Sequence, residues 1–182
     1  VAVTTDQHPR DDLTVEHMAS LPPVFKENGT VHAGNSSGVT DGGAAVLVMS
    51  EDAAERHGVN VMAHVIAATQ AGVAPSVMGM GPVPAMRQLM ELLRIGIADI
   101  DLIELNEAFA AQVLAVDQEL QLDQEKLNVN GGAIALGHPI GCTGTRILVT
   151  LVHEMVRRGA KRGVATLCVS GGMGSSLLVE RS

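Results

Sequence analysis

The sequence contains no tryptophan and no tyrosine, and its only phenylalanines are Phe25 and Phe109. So few flat side chains leave no platform on which bases could stack. Basic residues are scarce as well: 12 Lys and Arg stand against 20 Asp and Glu, a formal net charge of -8. That sign repels a phosphate backbone, so nucleic acid is not an expected partner. Long apolar runs are missing too. The longest stretch free of Asp, Glu, Lys and Arg, His57 to Met86, is broken by His64, Gln70, Pro75, Pro82 and Pro84. It reads as strand and loop, and no membrane span is expected. Val1 to Arg10 has neither a basic start nor an apolar centre, so it is not read as a signal peptide. Two cysteines are too few for a disulfide framework, which points to reduced thiols and a cytoplasmic setting.

What is present is apolar and small. Hydrophobic residues make up 46% of the 182 positions, charged residues 18%, and there are 20 glycines. A chain of this size buries roughly 70% of its unfolded surface, so it can hold a real core. The composition fits a tightly packed α/β protein rather than a disordered or fibrous one.

The pattern along the chain gives alternating elements. Residues 1–40 are punctuated by Pro9, Pro22, Pro23, Asn28-Gly29 and Gly34 to Gly38, with one short helix expected from Thr14 to Leu21, capped by Thr14. Ala44 to Met49 reads as a buried strand, and Ser50 as the cap of a helix that meets Gly58. A strand is expected over Val61 to Gln70 and a helix over Pro84 to Arg94 with Leu89, Leu92 and Leu93 inward. Leu102 to Leu105 reads as a strand and Glu107 to Leu120 as a helix with Phe109, Val113 and Val116 on one face. Asn128 to Gly144 reads as a Gly-rich loop, followed by a helix from Thr145 to Arg158. Val164 to Cys168 and Leu177 to Val179 read as two strands of a hairpin.

Two glycine motifs fail on inspection. Gly79-Met80-Gly81 lacks the third Gly of a dinucleotide fingerprint, and Gly137 to Arg146 lacks the Lys of a phosphate loop. A generic nucleotide-binding domain is therefore disfavoured. The 7 His never fall in a ligand pattern with the two Cys, so no metal is expected.

Three polar residues interrupt apolar sequence near strand ends, where α/β sheets expose reactive groups. Asn106 follows Leu102-Ile103-Glu104-Leu105, where a helix cap explains it about as well as catalysis does. His138 is flanked by Gly137 and Pro139 on a tight loop, which suits a general base or electrophile better than a core role. Cys168 ends an apolar strand, where composition alone favours a small buried hydrophobe. The Ser170-Gly171-Gly172-Met173-Gly174 turn after it shifts the balance, because bare backbone N–H groups there can face an oxyanion. Cys142, beside a helix start but with no partner suggested, reads as structural.

Asn106-Glu107-Ala108-Phe109-Ala110, the run from Asn128 to Gly141, and Cys168 with its Gly-rich turn resemble the three C-terminal blocks of the thiolases; His32 to Gly42 resembles a fourth. The combination, in order along essentially the whole chain, is far more specific than any one block. The resemblance implies an α/β, thiolase-like chain, the C-terminal half of a five-layered αβαβα fold. Residues 1–50 would be the end of the loop region and the last strand of the first half, and residues 51–182 the C-terminal domain.

It also implies acyl transfer between coenzyme A thioesters, with acyl-CoA and CoA as substrates and no permanently bound cofactor. His138 would deprotonate the acyl-accepting thiol and help bind the thioester oxygen, Asn106 would hold a water that completes the oxyanion hole, and Cys168 would move the proton on the carbon nucleophile or leaving thiol. Ala33 and Ser37 would line the pantetheine channel, with Met78, Ala108 and Phe109 near the acyl group. Ser170 stands where the family usually has Gly; its N–H can still face an oxyanion, with a side chain added. The acylated Cys of the family lies in the first half, so the chain alone is expected to be inactive and to pair with an N-terminal thiolase half in a homodimer or homotetramer. The competing expectation is a non-catalytic acyl-CoA-binding or subunit-interface module.

Overall fold

The computed structural model describes residues 2–6 and 8–182. A four-stranded sheet forms its centre: β1 (His64–Gly72), β2 (Leu102–Leu105), β3 (Arg162–Val169) and β4 (Met173–Glu180) in the order β1-β4-β3-β2. β3 and β4 form the expected hairpin, with Cys168 opposite Gly174. Its turn needs glycine, since Gly171 and Gly172 take φ of 87° and 93°, a region that a Cβ strains. β2 lies parallel to β3, with Leu105 opposite Thr166, so both strands end at the same edge. β1 adds to β4 antiparallel.

Two layers of helix cover the sheet. Alternation along β2 assigns its side chains: Ile103 and Leu105 pack with Val83, Met86 and Leu89 of α3 (Pro82–Leu93) and Val116 of α4 (Ala110–Leu120). Leu102 instead packs with Ile147, Leu151 and Met155 of α6 (Thr143–Arg158). Both faces of β2 are dry, which is why it reads as a short unbroken apolar run around one carboxylate, Glu104.

The outer helices follow their caps. α1 (Val15–Ser20) starts at Thr14, whose hydroxyl accepts from His17 N–H, and α2 (Glu51–His57) starts at Ser50 and ends at Gly58 with φ 61°. α5 (Ala133–Leu136) is a single turn inside the expected loop of residues 128–144.

Four expectations are corrected. Ala44 to Met49 is neither a strand nor buried: it carries no ladder and Leu47 is 78% exposed. A strand needs a neighbour for its N–H and C=O groups, and no described segment supplies one here. Leu92 is 63% exposed because it lies on the solvent side of α3, while Leu89 is buried and Leu93 packs half-buried against the core. Pro75–Met80 forms a 3₁₀ turn that the sequence pattern did not separate from loop. Finally, α4 begins at Ala110 rather than Glu107, with extended backbone at Phe109 as its cap position. No helix among the described residues is long and apolar enough to cross a membrane.

Candidate active site

The later start of α4 decides how Asn106 is to be read. Asn106 is not a helix cap, since it lies three positions before the cap residue, Phe109. Its backbone N–H donates to Thr166 C=O at 3.0 Å, extending the β2–β3 register by one step. Its side chain is 1% exposed, and neither amide atom has a hydrogen-bond partner among the described residues. Orphaned buried amides are rare in folded proteins because each costs on the order of 1–3 kcal/mol, and such a group calls for an explanation.

Cys168 lies on the neighbouring strand, two residues past the Asn106 acceptor, and is buried. Burial pushes its thiol pKa up, only partly offset by a backbone hydrogen bond at Cys168 itself, so it stays protonated as a neutral S–H. The turn that follows, with exposed Ser170, is tied down by Val73 N–H donating to Gly172 C=O at 2.7 Å. That bond brings the Pro75–Met80 turn, with half-buried Met78, against the Cys168 hairpin. Gly81 packs on the Met173 backbone so closely that a Cβ there would overlap the Met173 carbonyl.

His138 arrives from the other side. Its N–H donates to Gly38 C=O at 2.8 Å, and His138 forms a parallel bridge with Val39. The preceding residue of that segment, Ser37, donates to Ala108 C=O through both its N–H (3.1 Å) and its hydroxyl (3.2 Å). Ser36 pairs with Phe109, whose ring meets Phe25 edge to face at 5.4 Å. Hydrogen bonds joined by short runs of backbone therefore link His138 through Gly38 and Ser37 to Ala108, and on to Asn106, Thr166 and Cys168. Ala33 stands apart, exposed on a 3₁₀ turn packed against α1.

The loop bearing His138 is clamped at three points. Glu107 accepts from Ile134 N–H (3.1 Å) and from Asn128 Nδ2 (3.3 Å). Asn130 donates to Glu154 at 3.0 Å; this hydrogen bond, then those of Arg157 and Arg158, holds the Glu154 carboxyl down to about 2. The third clamp is Thr143, fully buried, whose hydroxyl lies 2.7 Å from His138 Nδ1 and 3.0 Å from Pro139 C=O.

Charge around the ring favours neutral imidazole. Burial first, and the Arg146 guanidinium second, hold the His138 pKa below its ordinary value. Arg146 faces the buried Glu104 carboxylate at 3.8 Å. Burial raises Glu104 to about 7 despite that cation, with Glu107 and Glu154 adding repulsion.

Sequence reasoning missed four of these groups. Glu104 carried a visible signal, a lone carboxylate inside Leu102-Ile103-Glu104-Leu105. Thr143 falls in the expected Gly-rich loop and Arg146 in the first turn of the expected helix, and neither stands out from its neighbours. Gln112, inside the expected helix, is 6% exposed, packs on Gly79, and neither of its amide atoms has a partner among the described residues. No cluster of metal-ligating side chains occurs among the described residues.

Residues 59–181 match the family model "Thiolase, C-terminal domain" and residues 1–52 match "Thiolase, N-terminal domain". An acetyl-CoA acetyltransferase from Syntrophomonas wolfei is 56% identical over 182 residues, 99% of this chain and 46% of that protein. The crystal structure of the Bacillus anthracis acetyl-CoA acetyltransferase superposes with a TM-score of 0.91 at 53% identity, over 96% of this chain and 44% of that one. Human mitochondrial 3-ketoacyl-CoA thiolase in complex with CoA superposes with a TM-score of 0.88 at 43% identity, over 99% and 46% of the two chains. The chain spans just under half the length of the relatives it matches.

Proposed function

The chain belongs to the thiolase family, and on that premise we propose that, together with an N-terminal thiolase half, it forms a cytoplasmic acyltransferase. The reaction is acyl transfer between coenzyme A thioesters by Claisen condensation or its thiolytic reverse, on acetoacetyl-CoA or longer 3-ketoacyl-CoA. The observation that carries this reading is the buried Asn106 amide without a partner among the described residues, at the end of β2 and beside the strand that bears Cys168.

The chemistry follows from what a thioester enolate requires. Forming a carbanion beside the carbonyl needs a base for a weak carbon acid and donors for the oxygen that gains charge. His138, neutral for the reasons above, takes the proton of the acyl-accepting thiol and helps bind the thioester oxygen. The Asn106 amide holds a water that completes the oxyanion hole. Cys168, kept as S–H by burial, gives its proton to the leaving CoA thiolate, and the Cys168 thiolate that remains then takes the proton from the carbon nucleophile and is S–H again. The N–H groups of the turn after Cys168, Ser170 included, face the second oxyanion. Ala33 and Ser37 line the channel for pantetheine, and Met78, Ala108 and Phe109 surround the acyl group. No permanently bound cofactor takes part.

The acylated Cys comes from the N-terminal half, which also covers the bare row Val46, Leu47 and Val48; the assembled enzyme is a homodimer or homotetramer. The test is acyl-enzyme formation in the assembled enzyme. Cys168→Ser should still acylate with acetyl-CoA while condensation falls about 100-fold or more, because a hydroxyl is too weak an acid. His138→Ala should acylate slowly. Equal acylation defects in both variants would overturn the division of roles, and so would turnover by the isolated 182-residue chain.

A further inference from the structure

Thr143 is buried beneath the His138 loop, and its one hydroxyl proton has two neighbouring acceptors. Pro139 C=O, at 3.0 Å, can only accept. Were the hydroxyl turned to donate to the ring nitrogen instead, two oxygens would face each other at that distance with no proton between them. The arrangement that satisfies both contacts has Thr143 Oγ1 donating to Pro139 C=O and accepting from Nδ1–H of His138 at 2.7 Å. Pro139 C=O also accepts from the N–H groups of Cys142 (2.8 Å) and Thr143 (2.9 Å), so this corner of the loop is held by the first turn of α6.

We propose that Thr143 is the positioning residue of the site: its hydroxyl fixes His138 as the Nδ1–H tautomer and leaves Nε2 as the only ring nitrogen able to take a proton. A neutral imidazole has one donor and one acceptor nitrogen, and the fixed partner of one nitrogen chooses the role of the other. With Nδ1–H committed to Thr143, a substrate or enzyme thiol meets the Nε2 lone pair. The S–H bond breaks, its electron pair stays on sulfur, and the proton goes to Nε2. The resulting imidazolium keeps its Nδ1–H···Oγ1 bond, so the ring need not turn between taking the proton and returning it.

The proposal rests on His138 being the base of the acyltransferase reading, and its test separates the two. In the assembled enzyme with ¹⁵N-labelled histidine, the His138 ring, identified by its loss in His138→Ala, should show Nδ1 protonated and Nε2 unprotonated above its pKa. Thr143→Val, close in shape but without the hydroxyl, should give mixed tautomers and slow acyl transfer on the order of 10-fold or more. Thr143→Ser should restore both tautomer and rate. An Nε2–H tautomer in the unaltered enzyme, or an unchanged tautomer in Thr143→Val, overturns the proposal. If Thr143→Val fails to fold, a mixed tautomer in Thr143→Ala supports it and the unaltered tautomer there overturns it. Wild-type acylation in His138→Ala would sink the acyltransferase reading while leaving the tautomer result standing.

Discussion

Asn106 N–H donates to Thr166 C=O one register step beyond the last paired residues of β2 and β3. Because the two strands are parallel, this bond sets the orphaned amide of Asn106 and the thiol of Cys168 at the same edge of the sheet. α/β folds place reactive groups outside the carboxyl ends of such strands.

Asn106→Leu should separate stability from activity. Leucine keeps the branching at Cγ, though it is bulkier, and removes two buried polar atoms that have no partner among the described residues, so the melting temperature should stay the same or rise, by the equivalent of about 1 kcal/mol. Condensation by the assembled enzyme should fall on the order of 100-fold, the usual cost of losing an oxyanion donor. A clear fall in melting temperature would mean that the amide is satisfied in the folded protein.

Glu104 should make stability depend on pH. Its folded carboxyl titrates at about 7 against an ordinary 4.5. A raised folded value means that its contribution is fully present below 4.5 and is lost as pH rises through 7. Glu104→Gln keeps the shape and cannot ionise, so it should gain on the unaltered protein as pH rises from 5 to 8. The gain is bounded by about 3 kcal/mol from the size of the shift. Urea unfolding across that range measures it, and parallel pH profiles would refute the assignment.

His138 works in the opposite sense. Burial and the Arg146 charge hold its pKa below the ordinary 6.5, so the neutral base persists as pH falls past that value. The acid limb of the acylation rate should therefore lie below 6.5, and an acid limb at or above 6.5 would contradict it.

Gly132→Ala should loosen the loop that carries His138. A methyl group at Gly132 would land on the Glu107 carboxylate, which holds Ile134 N–H and Asn128. The expected loss is about 1–3 kcal/mol, with faster proteolysis between residues 128 and 142. An unchanged melting temperature and cleavage rate would show that Glu107 can move aside.

The isolated chain should self-associate. Val46, Leu47 and Val48 stand exposed in one row without strand partners, and bare apolar patches of this kind are rarely left uncovered. Sedimentation across the micromolar range should show oligomers, and a compact monomer throughout would contradict this.

Much of this architecture was readable in the residues. Thr14, Ser50 and Gly58 marked helix ends through local chemistry, and the β2 and hairpin strands followed from their apolar runs. Local chemistry could not place Ala44 to Met49, because an apolar run becomes a strand only when something pairs with it. It also missed the delay of α4, where the non-helical stretch from Asn106 to Phe109 is held by Thr166 and Ser36 from distant parts of the chain. Asn106, His138 and Cys168 drew notice as polar breaks in apolar sequence. Thr143, Arg146 and Gln112 did not, since their meaning lies in what they face across the fold.

The strand order has a consequence for how the chain acquires its shape. β4 sits between β1 and β3, and His64 pairs with Glu180 across almost the whole length of the domain. Closing a loop of that span costs entropy before its contacts give anything back, and folds built on such pairings are slow to form. During synthesis, β1 emerges long before the strand that will hold it. Its exposed Val65 and Ile66 edge must wait for Glu180 to leave the ribosome, so the nascent chain passes through a stage in which a chaperone or a neighbouring ribosome's product can compete for that edge.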